Sequence, residues 1–284
     1  MEEVRLSAHV SLLRGSNGGA YPYGNPIRVR GGDTVVQIDS SLEAPATSTD
    51  LVLLSHYHED HVVGLGETAA PLRIHARDLP AVTSWDEFCR YMDSPPEEIG
   101  EELRRQFRWS ARPDATALHD DEVIDVGGGV RIRVVHLPGH TGGHCGFFVE
   151  PDGVFFLADV DLSSFGPLHA DLESRLSDVR SSLARCAEIE AAVYTTYHHK
   201  GPYTERAEYL ADLRRHTAAV EERGARIRDL LAQGVPADRL VGRGVIYRLD
   251  GRRPWYADAV EEVIVGQYLA EFTGGAQRAD EIAR

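Results

Sequence analysis

Cysteine is scarce in this chain of 284 residues. Its three copies, Cys89, Cys145 and Cys186, are widely scattered and form no Cys-x-x-Cys pair, so neither a disulfide framework nor a thiolate zinc site is expected. Lysine is scarcer still: Lys200 stands alone against 29 arginines, a compositional bias with little bearing on mechanism. Positive charge as a whole is in deficit. A formal net charge of −15 repels a phosphate backbone, and no basic stripe interrupts it, which counts against nucleic acid or an anionic membrane as the main partner. No apolar run reaches the roughly 18 residues of a membrane-spanning helix. The start, Met1-Glu2-Glu3-Val4-Arg5, lacks the basic-then-apolar signature of a secretory leader, and a cytoplasmic protein is the expectation.

What is present suffices for a large core. At 42% hydrophobic, the chain can close one large α/β domain with helical additions, favoured here over two small domains. The first two hundred residues are short apolar strands separated by Gly, Pro and Asp: Ala8 to Leu13, Thr34 to Ile38, Leu51 to Ser55, Leu72 to His75, Val130 to His136, Gly146 to Val149, Val154 to Leu157 and Ala192 to Thr196. Pro151-Asp152-Gly153 between two apolar runs predicts a hairpin. Helical spacing appears in Pro96 to Trp109, in Leu172, Leu176, Val179 and Leu183, and from Tyr203 onward in two long elements, one ending near Gly234 and one over Trp255 to Phe272. The loop Gly15 to Pro26 is the longest irregular stretch near the start.

The chemistry concentrates in His56-Tyr57-His58-Glu59-Asp60-His61, directly behind an apolar strand. In an extended chain His56, His58 and Asp60 share one face, while Asp60 and His61 point apart. A bend after His58, eased by Gly64 and Gly66, sends two imidazoles to one centre and lets Asp60 and His61 reach a second. Imidazole and carboxylate donors suit Zn²⁺, with Mn²⁺ or Fe²⁺ as alternatives. One hexapeptide cannot close two metals, and further donors stand at other strand ends. They are His140 after a Pro-Gly break, Asp159 closing Val154-Phe155-Phe156-Leu157-Ala158, and His198 or His199 after Tyr197. A carboxylate closing an apolar strand costs several kcal/mol in desolvation unless a cation or hydrogen-bond donors meet it. Asp39 repeats that design after Thr34 to Ile38 and can orient a ligand histidine.

In this order, His56-x-His58-x-Asp60-His61, Pro138-Gly139-His140-Thr141, Ala158-Asp159 and a strand-end histidine, the chain resembles the metallo-β-lactamase superfamily over about residues 8–202. The resemblance implies a four-layer αββα sandwich of the α/β class, a catalytic core over 1–202 and a helical extension over 203–284 packed on it. It also implies a dinuclear site: His56, His58 and His140 on one metal, Asp60, His61 and His198 on the other, and Asp159 bridging. Because both His198 and His199 precede Lys200-Gly201, His199 remains the alternative to His198.

Two zinc ions so held acidify a bridging water into the nucleophile, and Asp60 can orient it and carry its proton to the leaving group. The true zinc β-lactamases place a cysteine, or lack the bridging aspartate, where this chain has Asp159; nuclease relatives add a nucleic-acid-binding region not found here. A small-molecule thioester, ester or lactone hydrolase of the glyoxalase-II-like kind is expected. Two other readings stand beside it: a mononuclear-iron persulfide dioxygenase, and a non-catalytic ligand-binding module, against which the full ligand set argues. Tyr21, Tyr23, His169 and Tyr203 are candidate pocket-lining donors, although such tyrosines more often serve packing. Cys145 can approach the metals, its plainer reading being a buried strand residue, and His75 and His136 are expected to be structural. The exposed faces of the terminal helices can serve a homodimer or cover the pocket.

Overall fold

The computed structural model describes residues 2–93, 95–247, 249 and 253–274. Alternating apolar residues build a first sheet in chain order: β1 (Glu2–Arg5), β2 (Val10–Arg14), β3 (Ile27–Gly31), β4 (Thr34–Ile38), β5 (Leu51–Leu53), β6 (Leu72–His75) and β7 (Thr116–Leu118). Its first four strands pair antiparallel and β4 to β7 pair parallel. The second sheet contains β8 (Val123–Gly127), β9 (Val130–His136), β10 (Cys145–Glu150), β11 (Val154–Phe156) and β12 (Val193–Thr195). Here β8 to β11 are antiparallel and β12 joins β11 in parallel. The Pro151-Asp152-Gly153 hairpin forms as predicted, with Gly153 at φ 66°.

Apolar inner faces bring the sheets together. Ile27, Val29 and Ile38 from the first sheet meet Ile132, Val134 and Phe147 from the second. The first sheet's outer face, with Leu54 and Ile74, is covered by α1 (Leu79–Thr83) and α2 (Trp85–Tyr91) through Val82 and Phe88. Further along the chain lies α3 (Glu97–Gln106). The second sheet's outer face packs Phe155 and Tyr194 under α4 (Leu176–Glu188), α5 (Arg206–Ala232) and α6 (Ala257–Phe272). The result is the expected four-layer αββα sandwich, with the C-terminal helices in one outer layer.

Several boundaries differ from the sequence expectation. Strands β1, β3, β7 and β8 and helices α1 and α2 form where none was expected, and Leu172 lies outside α4 and is exposed. Residues 275–284 of the expected helical extension lie outside the described residues. No described helix is long and apolar enough to cross a membrane.

Strand directions place the site. Since β9 and β11 both run antiparallel to β10, they run parallel to each other and to β12, so their C-terminal ends share one edge. Strands β4 and β5 likewise end together. Cys145 N donates to Ser55 O at 2.8 Å, and the Tyr197 hydroxyl donates to Ser40 O at 2.7 Å, joining these two edges across the sandwich.

Candidate metal centre

The hexapeptide leaves β5 and bends at once, the turn closed by His61 N donating to His58 O at 3.0 Å. Asp39, at the end of β4 and at φ 62°, clamps this turn: its carboxylate accepts from Ser55 N at 2.7 Å, Ser55 Oγ at 2.7 Å and His61 Nδ1 at 2.9 Å. Ser55 Oγ in turn accepts from His56 Nδ1 at 3.0 Å. The remaining imidazoles follow the same rule. His140 Nδ1 donates to Leu168 O at 3.1 Å, His198 Nδ1 to Gly19 O at 2.6 Å, and His58 Nε2 to Asp171 Oδ2 at 2.6 Å. Each outer nitrogen carries its proton toward an acceptor, so each inner nitrogen presents a lone pair, the arrangement by which outer hydrogen bonds fix a ligand histidine's tautomer.

Those inner nitrogens converge. His56 Nε2 and His140 Nε2 stand 2.9 and 3.0 Å from His58 Nδ1, and His140 Nε2 lies 3.4 Å from Asp159 Oδ2. A second group unites Asp60, His61 and His198, with His198 Nε2 at 3.0 Å from Asp60 Oδ2. Asp159 faces both: Oδ1 is 3.1 Å from His61 Nε2, and Oδ2 is 3.8 Å from His198 Nε2. Its carboxylate turns inward after Ala158, whose φ of 49° is a left-handed conformation a non-glycine residue adopts at a cost of roughly 1 kcal/mol or more.

The residues fit cations. Asp60 Oδ2, His61 Nε2 and Asp159 Oδ1 are buried with no well-aligned hydrogen-bond partner among the described residues. Buried polar atoms are rarely left so. His61 Nε2 and Asp159 Oδ1 lie 3.1 Å apart and the Asp60 carboxylate approaches the same nitrogen to 3.8 Å, and lone pairs so grouped repel unless a positive charge sits among them. Without a metal, protons supply that charge: burial depresses the His198 pKa, but Asp159 and Asp60 outweigh it and lift the value to about 9. For His58 burial is likewise overcome, by Asp171, to about 9. His61 is raised against burial by Asp159, Asp60 and Asp39. Burial raises Asp159, but His61 and His198 hold it well below the ordinary carboxylate range.

A family model described as the metallo-beta-lactamase superfamily matches residues 31–214. The chain belongs to that superfamily. Among solved structures it is similar to a metallo-beta-lactamase family protein of Thermus thermophilus, with TM-score 0.70, 22% identity and 95% of each chain covered. It is also similar to a beta-lactamase domain protein from Burkholderia ambifaria, at TM-score 0.66 and 19% identity over 96% of this chain and 90% of that one. A class B3 di-zinc metallo-beta-lactamase from an Alaskan soil metagenome gives TM-score 0.55 and 15% identity over 78% and 93% of the two chains. At these identities the likeness concerns the fold.

Within this metallo-β-lactamase fold, His56, His58, Asp60, His61, His140, Asp159 and His198 come together, and His199 turns outward, exposed. Tyr21 stands at the rim, half exposed, its hydroxyl donating to Glu59 Oε1 at 3.0 Å; Tyr23 is half-buried. The other two pocket expectations fail. Tyr203 is buried and donates to Asp212 at 2.6 Å, and His169 lies sealed beneath α6 with Nδ1 on Gln267 Oε1 at 3.1 Å. Cys145 is a buried strand residue whose thiol donates to Gly143 O, its pKa pushed up by burial. His75 and His136 stack with ring centroids 4.0 Å apart.

Sequence reasoning missed Asp171, His144 and Asp78. Buried His144 donates from Nδ1 to Leu137 O at 3.1 Å and accepts at Nε2 from Asp159 N at 3.1 Å, so it sets the backbone of the shared carboxylate. Asp78 accepts from Thr141 Oγ1 and Gly143 N, both at 2.6 Å, and anchors the loop that carries His140; burial pushes its pKa up to about 7. A polar residue just outside a ligand motif is the only signal that pointed toward such partners, and it applied to His144 alone.

Proposed function

We propose that the protein is a dinuclear-metal hydrolase that cleaves a thioester, ester or lactone of a small molecule. One observation carries the reading: five imidazoles tied at their outer nitrogens turn their inner lone pairs toward two carboxylates, and Asp159 reaches both groups. His56, His58 and His140 would hold one cation and Asp60, His61 and His198 the other, with Asp159 within reach of both groups. The all-nitrogen and oxygen donor set suits Zn²⁺ and also accepts Mn²⁺ or Fe²⁺.

Two such cations, when bound, polarise a carbonyl oxygen and bring the ionisation of water into the neutral range. The chain supplies the remaining functions. Asp60, buried in the second group, takes a proton from the attacking water on a carboxylate oxygen and returns it to the leaving group. Among the described residues no side chain is placed as nucleophile: Ser55 Oγ is committed to Asp39, and the Cys145 thiol is buried and protonated. Aromatic surface stands beside the site, where Tyr21 and Tyr256 remain partly exposed: the Tyr21 hydroxyl donates to Glu59 Oε1, and the Tyr256 hydroxyl lies in the field of Glu59 and Asp60. Such surface favours an apolar acyl or leaving group over a phosphodiester.

The test is a metal-replete activity screen on thioesters, lactones, β-lactams and phosphodiesters, run beside metal analysis. Two zinc ions per chain with turnover of the carbonyl substrates support the reading. One iron per chain with thiol-dependent oxygen uptake overturns it in favour of a persulfide dioxygenase, and no turnover across the panel in favour of a binding module.

A further inference from the structure

Helix α5 sends one polar side chain deep toward the metal centre. His216, 1% exposed, donates from Nδ1 to Ser163 O at 2.9 Å and lies 3.5 Å from Asp161 Oδ1. A carbonyl can only accept, so Nδ1 carries the proton and Nε2 of the neutral ring is an acceptor. That Nε2 is buried and has no partner among the described residues. Leaving a buried polar atom unpaired costs about 1–3 kcal/mol.

A cavity of about 20 Å³ adjoins the ring. Its wall includes His216, His140 and Asp159, with apolar side chains such as Leu137, Val160 and Leu183 around them. A cavity holds a water once it offers roughly 10–15 Å³, so this one admits a single molecule. The other polar groups of the wall are largely committed: His140 Nδ1 is on Leu168 O, and Ser182 Oγ donates to Pro138 O. Asp159 is the one carboxylate in the wall among the described residues. A water has two hydrogens to give, and the wall offers two acceptors of opposite origin, an imidazole from α5 and the carboxylate shared by both metal groups.

We propose that His216 is a positioning residue for the metal centre, holding Asp159 through one bridging water. The C-terminal helices then do more than cover the second sheet: one of them sets the orientation of the shared carboxylate. The inference rests on the dinuclear reading given above, because it assigns to Asp159 a ligand's task.

Two substitutions separate this role from mere packing. His216→Asn keeps a donor near the position of Nδ1, and with it the tether to Ser163, but deletes the distal acceptor. His216→Gln reaches the position of Nε2 but gives up the tether. Both variants and the wild type are stripped of metal and titrated with Zn²⁺ against a chromophoric chelator, and thermal unfolding of the metal-free forms is recorded. The expected result is a loss of about 10–100-fold in zinc affinity for His216→Asn at near wild-type Tm, and a loss within about threefold for His216→Gln at lowered Tm. The reverse pattern, or unchanged affinity in His216→Asn, overturns the proposal. Independently of any variant, a crystal structure of the wild type that resolves ordered water is expected to show one within about 3.2 Å of both His216 Nε2 and a carboxylate oxygen of Asp159. A dry cavity there also overturns it, even where zinc binds. If the wild type takes up no zinc at all, it is the dinuclear reading that fails, and this inference with it.

Discussion

Asp171 Oδ2 stands 2.6 Å from His58 Nε2 and also accepts, at 2.5 Å, from the Tyr57 hydroxyl. Two neighbouring residues of the hexapeptide are thus tied to one carboxylate 113 positions from the histidine. The bond fixes the tautomer in which His58 Nδ1 faces His56 and His140, and its charge raises the basicity of that nitrogen. Asp171→Asn removes the charge and keeps the shape. We expect the first metal group to lose about 10–100-fold in zinc affinity and the second to change far less, resolved as two steps in a chelator competition. Tyr57→Phe deletes one hydrogen bond to the same oxygen, and its effect is expected to be smaller. Equal affinity in Asp171→Asn and wild type refutes the assigned role.

The ligands at strand ends were legible because each follows an apolar run that can only be a buried strand, and strand direction does the rest. Asp39 was legible on the same ground. Asp171 was not: it sits in irregular chain between β11 and α4, and only tertiary approach gives it a partner. Strand β1 (Glu-Glu-Val-Arg) is an exposed edge whose pairing is imposed by β2 and shows no apolar alternation of its own. Helices α1 and α2, of 5 and 7 residues, are too short for a 3.6-residue period to declare itself. Tyr203 misled for a related reason. A tyrosine beside proline and glycine gives no sign of which way it faces, and here an aspartate nine positions later on α5 captures its hydroxyl.

The early glycine-rich loop serves geometry close to the ligands. Tyr197 stacks on His61 with ring centroids 3.7 Å apart, and its buried hydroxyl holds Ser40 O at 2.7 Å and Asp60 O at 2.6 Å. Gly24 packs so closely that an added Cβ would lie 1.8 Å from Tyr197 Cζ. Tyr197→Phe leaves two buried carbonyls without that donor, and a stability loss of about 1–3 kcal/mol is expected from the denaturant midpoint at unchanged m-value. Gly24→Ala forces the ring off His61 or the loop off the sheet, and is expected to cost at least as much. A Tyr197→Phe protein as stable as wild type refutes the role of the hydroxyl.

Acid sensitivity has a source outside the metal centre. Burial, with His136 stacked against the ring, lowers the His75 pKa to about 4. The unfolded chain titrates this group near its ordinary value, about 6.5, so between these values the unfolded state binds the extra proton and the folded state does not. The contribution of His75 to stability is therefore intact above about 6.5 and is lost progressively as pH falls toward 4. His75→Phe keeps an aromatic partner for His136 and removes the proton site. Metal-free His75→Phe is expected to lose less stability than metal-free wild type on acidification from about pH 7.5 to 4.5, whatever its constant offset from losing the Arg77 N to His75 Nδ1 bond. Parallel curves for the two proteins across that window refute the assignment.

On the proposed mechanism, a substitution at Asp60 separates metal binding from proton handling. Asp60→Asn preserves an oxygen for the second metal group and the shape of the buried turn, but an amide cannot take a proton from water or return it. Much of the metal is expected to remain, measured as ions per chain, while kcat falls about 10²–10⁴-fold. Leaving-group dependence sharpens the test. An aryl thiolate departs without a proton, whereas an alkoxide needs one. The deficit of Asp60→Asn is therefore expected to be smallest on aryl thioesters and largest on alkyl esters. A uniform deficit across leaving groups limits Asp60 to orienting the attacking water, and undiminished turnover at full metal loading removes it from the reaction altogether.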